Sequence, residues 1–341
     1  MTAADPPGLP LEPLARFLGH AAPGLLAGPL EAELITGGKS NLTYAVTDGR
    51  RSVIVRRPPL GHVLATAHDM GREHRVMSAL RDTPVPVPAM YAACPDPEVI
   101  GAPFYVMEHV PGTPYRLAAE LGSLGAERVR GISARMVDTL VALHAVVPDE
   151  VGLGDFGRPE GFLGRQVRRW KQQLDASRSR EVPGIDELHA ALAGAQPREG
   201  APGIVHGDFR LDNLLVDDAD AVRAVLDWEM ATLGDPLTDV ALLHAYLTMP
   251  TMVDSRAVSD ASLAPGFLTP DEVLARYGKA SGRDLSDLAF HLGLAYFKLA
   301  VILEGIHYRY TQGQTVGAGF EAIGDAVAPL VAQGLRSIKE D

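Results

Sequence analysis

The sequence has almost no cysteine, because Cys94 is the single one among 341 residues. A lone cysteine excludes an internal disulfide and any structural zinc site built on cysteine ligands. Residues 1–30 also lack the basic start and the apolar run of a signal peptide. The most apolar late stretch, residues 288–303, is interrupted by His291 and Lys298, which argues against a membrane span. We therefore expect a cytoplasmic protein that does not cross a membrane.

Basic residues are in the minority, with 31 Lys and Arg against 43 Asp and Glu and a formal net charge of -12. Phosphate backbones and anionic lipid surfaces bind clustered basic side chains, so this balance argues against non-specific binding to nucleic acid or membrane. Apolar residues make up 46% of the chain and charged residues 22%, which is typical of a globular protein with a sizeable core. The length suits about two domains, and the charge suits small or cationic partners.

The first third of the chain is rich in predicted strands. Asp48-Gly49 lies between two β-prone runs and is a strong hairpin signal. Three prolines between residues 84 and 88 force an extended connection, because proline cannot continue a helix. The predicted elements here are strands over 42–47, 52–56 and 99–110, a helix over 11–18 that Gly19 ends, and a helix over 71–81.

The remainder is mainly helical, with two short strands predicted over 203–206 and 221–226. Helices are predicted over 126–145, 162–174, 237–247, 271–277, 285–309 and 320–335. The pattern indicates an α+β protein of two lobes. Residues 1–110 form a small β-rich lobe, and residues 111–341 form a larger helical lobe, with a site where they join.

Residues 204–216 carry the most informative spacing in the chain. His206 and Asp208 follow a β-prone run, and four residues separate Asp208 from Asn213. Asp227 ends a later strand. One carboxylate can accept a proton from a hydroxyl group, and an amide oxygen with a second carboxylate can hold Mg²⁺. Kinases share this order: His-x-Asp, four residues, Asn, and later a metal-binding Asp.

The alternative is that this acidic loop is a solvated turn. We assign that role only to Asp217, Asp218 and Asp220. The catalytic base is therefore predicted to be Asp208, and the metal ligands are predicted to be Asn213 and Asp227.

A glycine-rich turn upstream is the candidate for nucleotide binding. Gly37 and Gly38 lie between β-prone segments, where backbone amides can approach phosphates closely. The turn is not a Walker loop, because the first glycine of that motif would fall on Glu33, and the turn itself does not have the spacing G-x-G-x-x-G. A plain hairpin is the alternative reading of the turn by itself. The predicted nucleotide loop comprises Gly37, Gly38, Lys39, Ser40 and Asn41.

Arg56 and Glu73 fit the ion pair that positions phosphates in kinases. Arg56 ends a β-prone run and Glu73 lies on the following predicted helix, on the same face as Met77 and Leu80. Arginine replaces the usual lysine and keeps a permanent, bidentate charge. A surface pair without a functional role is the alternative.

These motifs resemble the aminoglycoside phosphotransferase family, which consists of small-molecule kinases with a protein-kinase-like fold. The resemblance runs from about Leu34 to beyond Arg309. Its strongest parts are Gly-Gly-Lys-Ser-Asn, the Asp208 loop and Val-Leu-Asp-Trp-Glu-Met-Ala-Thr-Leu-Gly-Asp-Pro-Leu-Thr-Asp239. Three other stretches resemble the phosphotransferase domains related to those fused to acyl-CoA dehydrogenases: residues 85–88, 101–112 and 301–309. No dehydrogenase motif is present, so a stand-alone member is expected.

The resemblance implies roles for individual residues. Asp208 would be the base, His206 a brace of its loop, and Asp239 a residue that steadies this loop through backbone hydrogen bonds. Met107, Glu108, His109 and Val110 would form the hinge that contacts adenine. The implied cofactors are ATP and Mg²⁺.

The resemblance implies phosphorylation of a small-molecule hydroxyl, with a hydroxyacyl-CoA-type metabolite as the first expectation. An antibiotic kinase and a nucleotide-binding scaffold without turnover are the alternatives. A protein kinase is disfavoured because Asp227 is followed by Trp228-Glu229 instead of Phe-Gly, and because the chain has no Ala-Pro-Glu. The acceptor pocket is not identified from the sequence, although Glu304, His307, Tyr308 and Arg309 are available. Arg165, Arg168, Arg169 and Lys171 form a local basic face that either is solvated or contacts a CoA phosphate.

Overall fold

A computed structural model describes residues 5–35, 41–61, 69–198, 200–252, 258–314 and 320–339. The chain divides into two compact units. The first comprises Met1–Gly112 with Arg223–Ala231, and the second comprises Thr113–Val222 with Thr232–Asp341. The division predicted at residue 110 does not assign residues 223–231 to the first unit, because the strand pattern around residue 222 does not reveal which unit this segment joins.

The first unit is built on an antiparallel five-stranded sheet of order β1-β2-β3-β5-β4. The hairpin predicted at Asp48-Gly49 joins β2 to β3, and Gly49 has a φ of 82°, which glycine adopts without strain. The elements are α1 (Leu11–Ala21), β1 (Glu31–Leu34), β2 (Leu42–Thr47), β3 (Ser52–Arg57), α2 (Met70–Leu80), β4 (Met90–Cys94) and β5 (Phe104–Glu108).

Two sequence predictions in this unit were wrong in their bounds. Helix α1 continues past Gly19 to Ala21, because Leu14 and Leu18 anchor it in the core and a helical glycine costs only about 1 kcal/mol. The strand predicted over 99–110 starts only at Phe104, since a turn closed by the Gly101 amide and the Pro97 carbonyl precedes it. Strand β4 was not predicted.

The sheet of the first unit buries an alternating set of side chains. Tyr44, Val46, Val53 and Val55 are fully buried and pack with Val106 of the next strand. Alternation places every second residue on the same face of a strand. Arg56 lies on the opposite face of β3 and pairs in register with Tyr105 of β5.

The second unit is mainly helical and contains a short antiparallel pair formed by β6 and β9. Helix α4 has the predicted bounds, whereas α6 was not predicted and α10 starts later than predicted. The elements are α3 (Ala118–Gly122), α4 (Ala126–Ala145), α5 (Phe162–Ser177), α6 (Ile185–Gly194), β6 (Gly203–Val205), β7 (Leu214–Val216), β8 (Val222–Val225, at the boundary), β9 (Thr232–Gly234), α7 (Leu237–Thr248), α8 (Pro270–Ser281), α9 (Leu288–Thr311) and α10 (Val327–Lys339).

Helix α9 forms much of the core of this unit. It is long and apolar enough to cross a bilayer, but 72% of its most apolar window is buried within the protein. Two of its polar residues contact other elements: His291 contacts the Asp235 carboxylate at 3.1 Å, and Lys298 donates to the carbonyl oxygen of Gly207 at 2.7 Å. The Lys298 contact joins α9 to the loop that contains Asp208.

Candidate active site

Arg56 lies at the centre of a charge cluster in the first unit. Its Nη2 is 2.5 Å from Asp227 Oδ1, and its Nε is 3.4 Å from Glu73 Oε2. Glu73 is fully buried and also accepts hydrogen bonds from Tyr105 at 2.9 Å and Asn41 at 3.1 Å. Burial opposes the charge of Arg56, but Tyr105, Glu73 and Asp227 raise its pKa overall. Arg56 therefore stays cationic and joins the helix carboxylate to the carboxylate at the end of β8.

Asp227 has a backbone conformation that few residues adopt. Its φ of 64° and ψ of 60° lie in the left-handed region, which Asp tolerates better than most residues because its side chain bonds locally. A turn of 3₁₀ helix follows, in which the buried Trp228 indole donates to the Val225 carbonyl oxygen at 2.9 Å. The Asp227 side chain keeps 29% of its surface exposed. One oxygen is held by Arg56, and the carboxylate remains accessible to a ligand.

The predicted nucleotide-binding residues are only partly described. Gly37, Gly38, Lys39 and Ser40 lie outside the described residues. Asn41 is described, and its side chain is buried against Glu73.

The predicted hinge residues span the end of β5. Met107 is buried and pairs with Ile54 and Met90, while the Glu108 amide donates to the Ala89 carbonyl oxygen at 2.8 Å. The Glu108 amide is thus occupied within the sheet. His109 and Val110, which follow the strand, are the better placed of the four for backbone contact with a base.

In the second unit, the Asp208 carboxylate is held on both oxygens. Tyr246 donates its hydroxyl hydrogen to Oδ1, and Asn213 Nδ2 donates to Oδ2 at 3.1 Å. Asn213 Nδ2 also donates to the Asp208 carbonyl oxygen at 2.8 Å. Arg210 lies 3.7 Å from the same carboxylate and over the ring of Tyr246. The side chain therefore has a defined orientation before any substrate binds.

Asp239 holds the backbone of the same loop. Its carboxylate accepts from the amides of His206 at 2.6 Å and Gly207 at 2.7 Å. Gly207 has a φ of 83°, which glycine permits and which aims the two successive amides at one carboxylate. His206 is fully buried, and its Nδ1 accepts from the Asp208 amide at 3.2 Å.

A buried histidine, His144, contacts the Asp239 carboxylate from another side. His144 Nε2 lies 3.3 Å from the Asp239 carboxylate, and Nδ1 lies 2.8 Å from the Tyr277 hydroxyl. Burial lowers the pKa of His144. Burial alone would raise the pKa of Asp239, but its contacts with His144 and the loop amides lower it overall. The buried Asp239 carboxylate is thus satisfied by hydrogen-bond donors on several sides.

Each unit contains one predicted metal ligand whose side-chain oxygen suits a magnesium ion. Asn213 uses its amide nitrogen on Asp208, which leaves the side-chain oxygen as the atom that can ligate a metal. Asp227 retains an accessible carboxylate after pairing with Arg56. Carboxylate and amide oxygens suit this hard cation, which keeps several of its waters and binds substrate phosphates.

Sequence reasoning did not identify Tyr246 or Tyr105 as site residues. Tyr246 lies seven residues after Asp239 on α7, which is two helical turns along one face. That spacing was the available signal. Tyr105 lies within a strand, where an aromatic side chain usually packs in the core, so the sequence offered no signal for a role in the site.

Among the acceptor-pocket candidates on α9, Glu304 forms contacts within the protein. The Glu304 carboxylate is fully buried and accepts from the Ser179 hydroxyl at 2.7 Å and from Arg180 Nε at 3.1 Å. It is therefore committed to a structural contact and is a poor ligand for a cation. Tyr308 and Arg309 are exposed at the end of the helix.

We expect Tyr246→Phe to lower kcat roughly tenfold if Asp208 is the catalytic base. The change removes a hydrogen bond to a charged group, worth about 1.5–3 kcal/mol, and frees the carboxylate to rotate. Steady-state kinetics would measure the effect, with the KM for ATP unchanged. Tyr296→Phe is the matched control, because it deletes a hydroxyl that bonds Thr248 and not Asp208. An unchanged kcat in Tyr246→Phe would contradict the prediction.

The sequence of this chain is similar to those of known proteins. The profile of the phosphotransferase enzyme family matches residues 31–291. Acyl-CoA dehydrogenase family member 11 of Gallus gallus is 34% identical over 337 residues, covering 96% of this chain and 43% of the relative. Family member 10 of Mus musculus is 33% identical, covering 97% and 32%. The chain thus spans less than half the length of these relatives.

Solved structures share the fold. A Ralstonia eutropha protein whose name places it among the aminoglycoside phosphotransferases is 32% identical, with a TM-score of 0.82 over 96% of this chain and 98% of its own. A thermostable aminoglycoside phosphotransferase mutant bound to AMP-PNP and hygromycin B is 15% identical, with a TM-score of 0.60 over 95% of this chain and 97% of its own. The predicted α+β, protein-kinase-like fold is confirmed.

Proposed function

Because this chain belongs to the phosphotransferase enzyme family, we propose that it transfers the γ-phosphoryl group of ATP to a hydroxyl group of a small molecule. The orientation of Asp208 is the observation that carries the proposal. A carboxylate held on both oxygens by Tyr246 and Asn213, in a loop whose backbone is fixed by Asp239, is suited to receive one proton from one direction. Such preorganisation is what general-base catalysis requires.

In the proposed reaction, the acceptor hydroxyl donates its hydrogen bond to Asp208. Its oxygen attacks the γ-phosphorus, the bond between that phosphorus and the ADP oxygen breaks, and the proton passes to Asp208. Most of the rate enhancement comes from positioning and charge neutralisation, because phosphoryl transfer has a loose transition state. Asn213 and Asp227 would hold Mg²⁺, which when bound neutralises phosphate charge.

The charge cluster of the first unit supports the nucleotide half of the proposal. Arg56 is cationic and is oriented by Glu73, which is itself held by Tyr105 and Asn41. In kinases, a basic residue at this position on the third strand pairs with a helix glutamate and contacts the phosphates. The structure of the fold relative bound to AMP-PNP is consistent with this nucleotide. We place adenine against the backbone at His109 and Val110.

We expect Asp227→Asn to abolish the gain in ATP affinity that Mg²⁺ confers on the wild-type protein. The change keeps the shape and tolerates the left-handed backbone, but it removes the charge that binds the ion. Calorimetry of ATP binding with and without Mg²⁺ measures this gain.

Asp220→Asn is the matched control for this experiment. Asp220 is also an aspartate with a φ of 64°, but it pairs with Arg128 in the second unit. A variant of Asp227 that retains the full effect of Mg²⁺ would contradict the assignment.

For the acceptor, we propose a hydroxyacyl-CoA-type metabolite, acted on in the cytoplasm, rather than a nucleic acid or membrane. The relatives named as acyl-CoA dehydrogenase family members align with nearly the whole of this chain, and an acyl-CoA is the substrate that their name implies. An antibiotic kinase is the second candidate, because structural relatives carry the names of aminoglycoside phosphotransferases. Both acceptors present a hydroxyl group to the same base.

A screen of ATP consumption over hydroxyacyl-CoAs, aminoglycosides, choline and sugars tests the proposal. We expect phosphorylation of a hydroxyacyl-CoA. A response to an aminoglycoside alone would refute the proposed acceptor and retain the reaction. ATP binding without transfer to any acceptor would indicate a nucleotide-binding scaffold.

A further inference from the structure

Lys298 is a cation in the middle of the apolar helix α9. Its Nζ donates to the carbonyl oxygen of Gly207 at 2.7 Å and lies 5.4 Å from the centre of the Trp170 ring. Neither contact neutralises its charge. Burial lowers the pKa of Lys298, although Asp208 and Asp239 partly offset this effect. A lysine in such a helix is costly, which calls for an explanation beyond packing.

A second cation lies on the same aromatic ring. The Arg169 guanidinium is 5.7 Å from the centre of Trp170, and it is exposed. Within the part of the chain that the structure describes, neither Lys298 nor Arg169 forms an ion pair with a carboxylate. The arginines at 128, 180 and 276 of the same unit each have one. Two neighbouring cations that form no direct ion pair among the described residues are unexpected in a chain of net charge -12.

This pair of cations lies next to the proposed base. The carbonyl group that Lys298 contacts belongs to Gly207, which directly precedes Asp208. Adjacent Cα atoms are about 3.8 Å apart, so the ammonium group lies within roughly 10 Å of the Asp208 carboxylate. A small molecule whose hydroxyl group reaches Asp208 can therefore place a second group at Lys298.

We propose that Lys298 and Arg169, both beside the Trp170 ring, form an anion subsite for the acceptor. The acceptor is then a hydroxylated compound that carries a carboxylate or phosphate group. This inference rests on the proposed phosphotransfer, since it identifies the acceptor class for that same base. It separates the two candidate acceptors, because a polycationic aminoglycoside would meet like charge here, whereas a hydroxy acid or its CoA ester would not.

Binding of simple anions to the protein loaded with ADP and Mg²⁺ tests the subsite. The probes are β-hydroxybutyrate, coenzyme A and the neutral butanediol, measured by calorimetry. We expect at least one anionic probe to bind more tightly than butanediol. Lys298→Met should weaken that probe roughly 10- to 100-fold, the range for a hydrogen bond to a charged group. Preference for β-hydroxybutyrate would identify a carboxylate, and preference for coenzyme A would identify a phosphate.

Three further variants control for damage to the loop. Arg169→Gln leaves the Gly207 contact intact and should weaken the anionic probe several-fold. Lys298→Arg keeps the charge and should retain most of the affinity. Arg130→Gln removes an exposed charge elsewhere in the second unit, where Arg130 pairs with Glu272, and should have no effect. A loss in Lys298→Met that is matched for butanediol would show a structural role and overturn the subsite.

The subsite is also overturned if wild-type protein binds neither anionic probe, or if Lys298→Met binds them as the wild type does. Failure of the proposed function would look different. In that case the anionic probe would bind and respond to the variants as expected, but no acceptor would gain phosphate from ATP. Conversely, transfer to a neutral or cationic acceptor with no effect of Lys298→Met would retain the reaction and refute the subsite.

Discussion

Asp208→Asn is expected to lower turnover by about 10²–10⁴-fold, the usual contribution of a general base. Asparagine keeps the shape of the side chain and one acceptor oxygen, and Tyr246 can donate to that oxygen, but an amide cannot take the proton. Affinity for Mg-ATP should stay within about twofold, because the proposed metal ligands are unchanged. Steady-state kinetics and calorimetry together measure the two effects.

Asp218→Asn is the matched control for that experiment. It makes the same chemical change on an exposed aspartate ten residues along the chain. We expect normal turnover from it. If Asp208→Asn turned over the true acceptor at the wild-type rate, the base would have to be another group.

Asp239→Ala should lower the free energy of unfolding by about 3–5 kcal/mol, as does removal of one partner from a buried polar network. The change leaves the amides of His206 and Gly207 and the imidazole of His144 buried without their acceptor. Each unsatisfied buried donor retains the cost of its desolvation. Urea denaturation, followed by the loss of helical circular dichroism, measures the effect.

Asp138→Ala provides the comparison, because Asp138 forms an exposed ion pair with Arg276. Such pairs contribute about 0–1 kcal/mol. Asp239→Asn, which retains one acceptor oxygen, should fall between these two variants. A loss below about 1 kcal/mol in Asp239→Ala would mean that the loop finds other partners and that Asp239 does not hold its backbone.

Local features could be predicted from the sequence with good bounds. Helix α4 spans 126–145 as its apolar spacing indicates, and β2 spans 42–47 beside the Asp48-Gly49 turn. The contact between Asp208 and Asn213 could also be expected from the sequence, because the two residues are only five positions apart. These features depend on residues that are neighbours along the chain, where periodicity and turn chemistry determine the geometry.

Helix α6 shows where local patterns are insufficient. Residues 185–194 begin after a glycine that offers no side-chain cap, and the segment is short. Its buried residues, Ile185, Leu188 and Leu192, pack against other helices of the second unit. Short helices gain most of their stability from such packing, which the sequence of the segment alone does not reveal.

The tertiary structure alone decided which distant side chains meet. Arg56 pairs with Asp227 across 171 positions, Tyr246 reaches Asp208 across 38, and Lys298 reaches Gly207 across 91. From the sequence alone, Asp208 could be proposed as the base, Asn213 and Asp227 as metal ligands and Arg56 as the arginine that pairs with phosphate, because these residues belong to compact motifs. The sequence did not indicate that Tyr246 contacts Asp208 or that Lys298 contacts Gly207. Those contacts depend on how helices pack, and an apolar pattern specifies a buried face without specifying which element covers it.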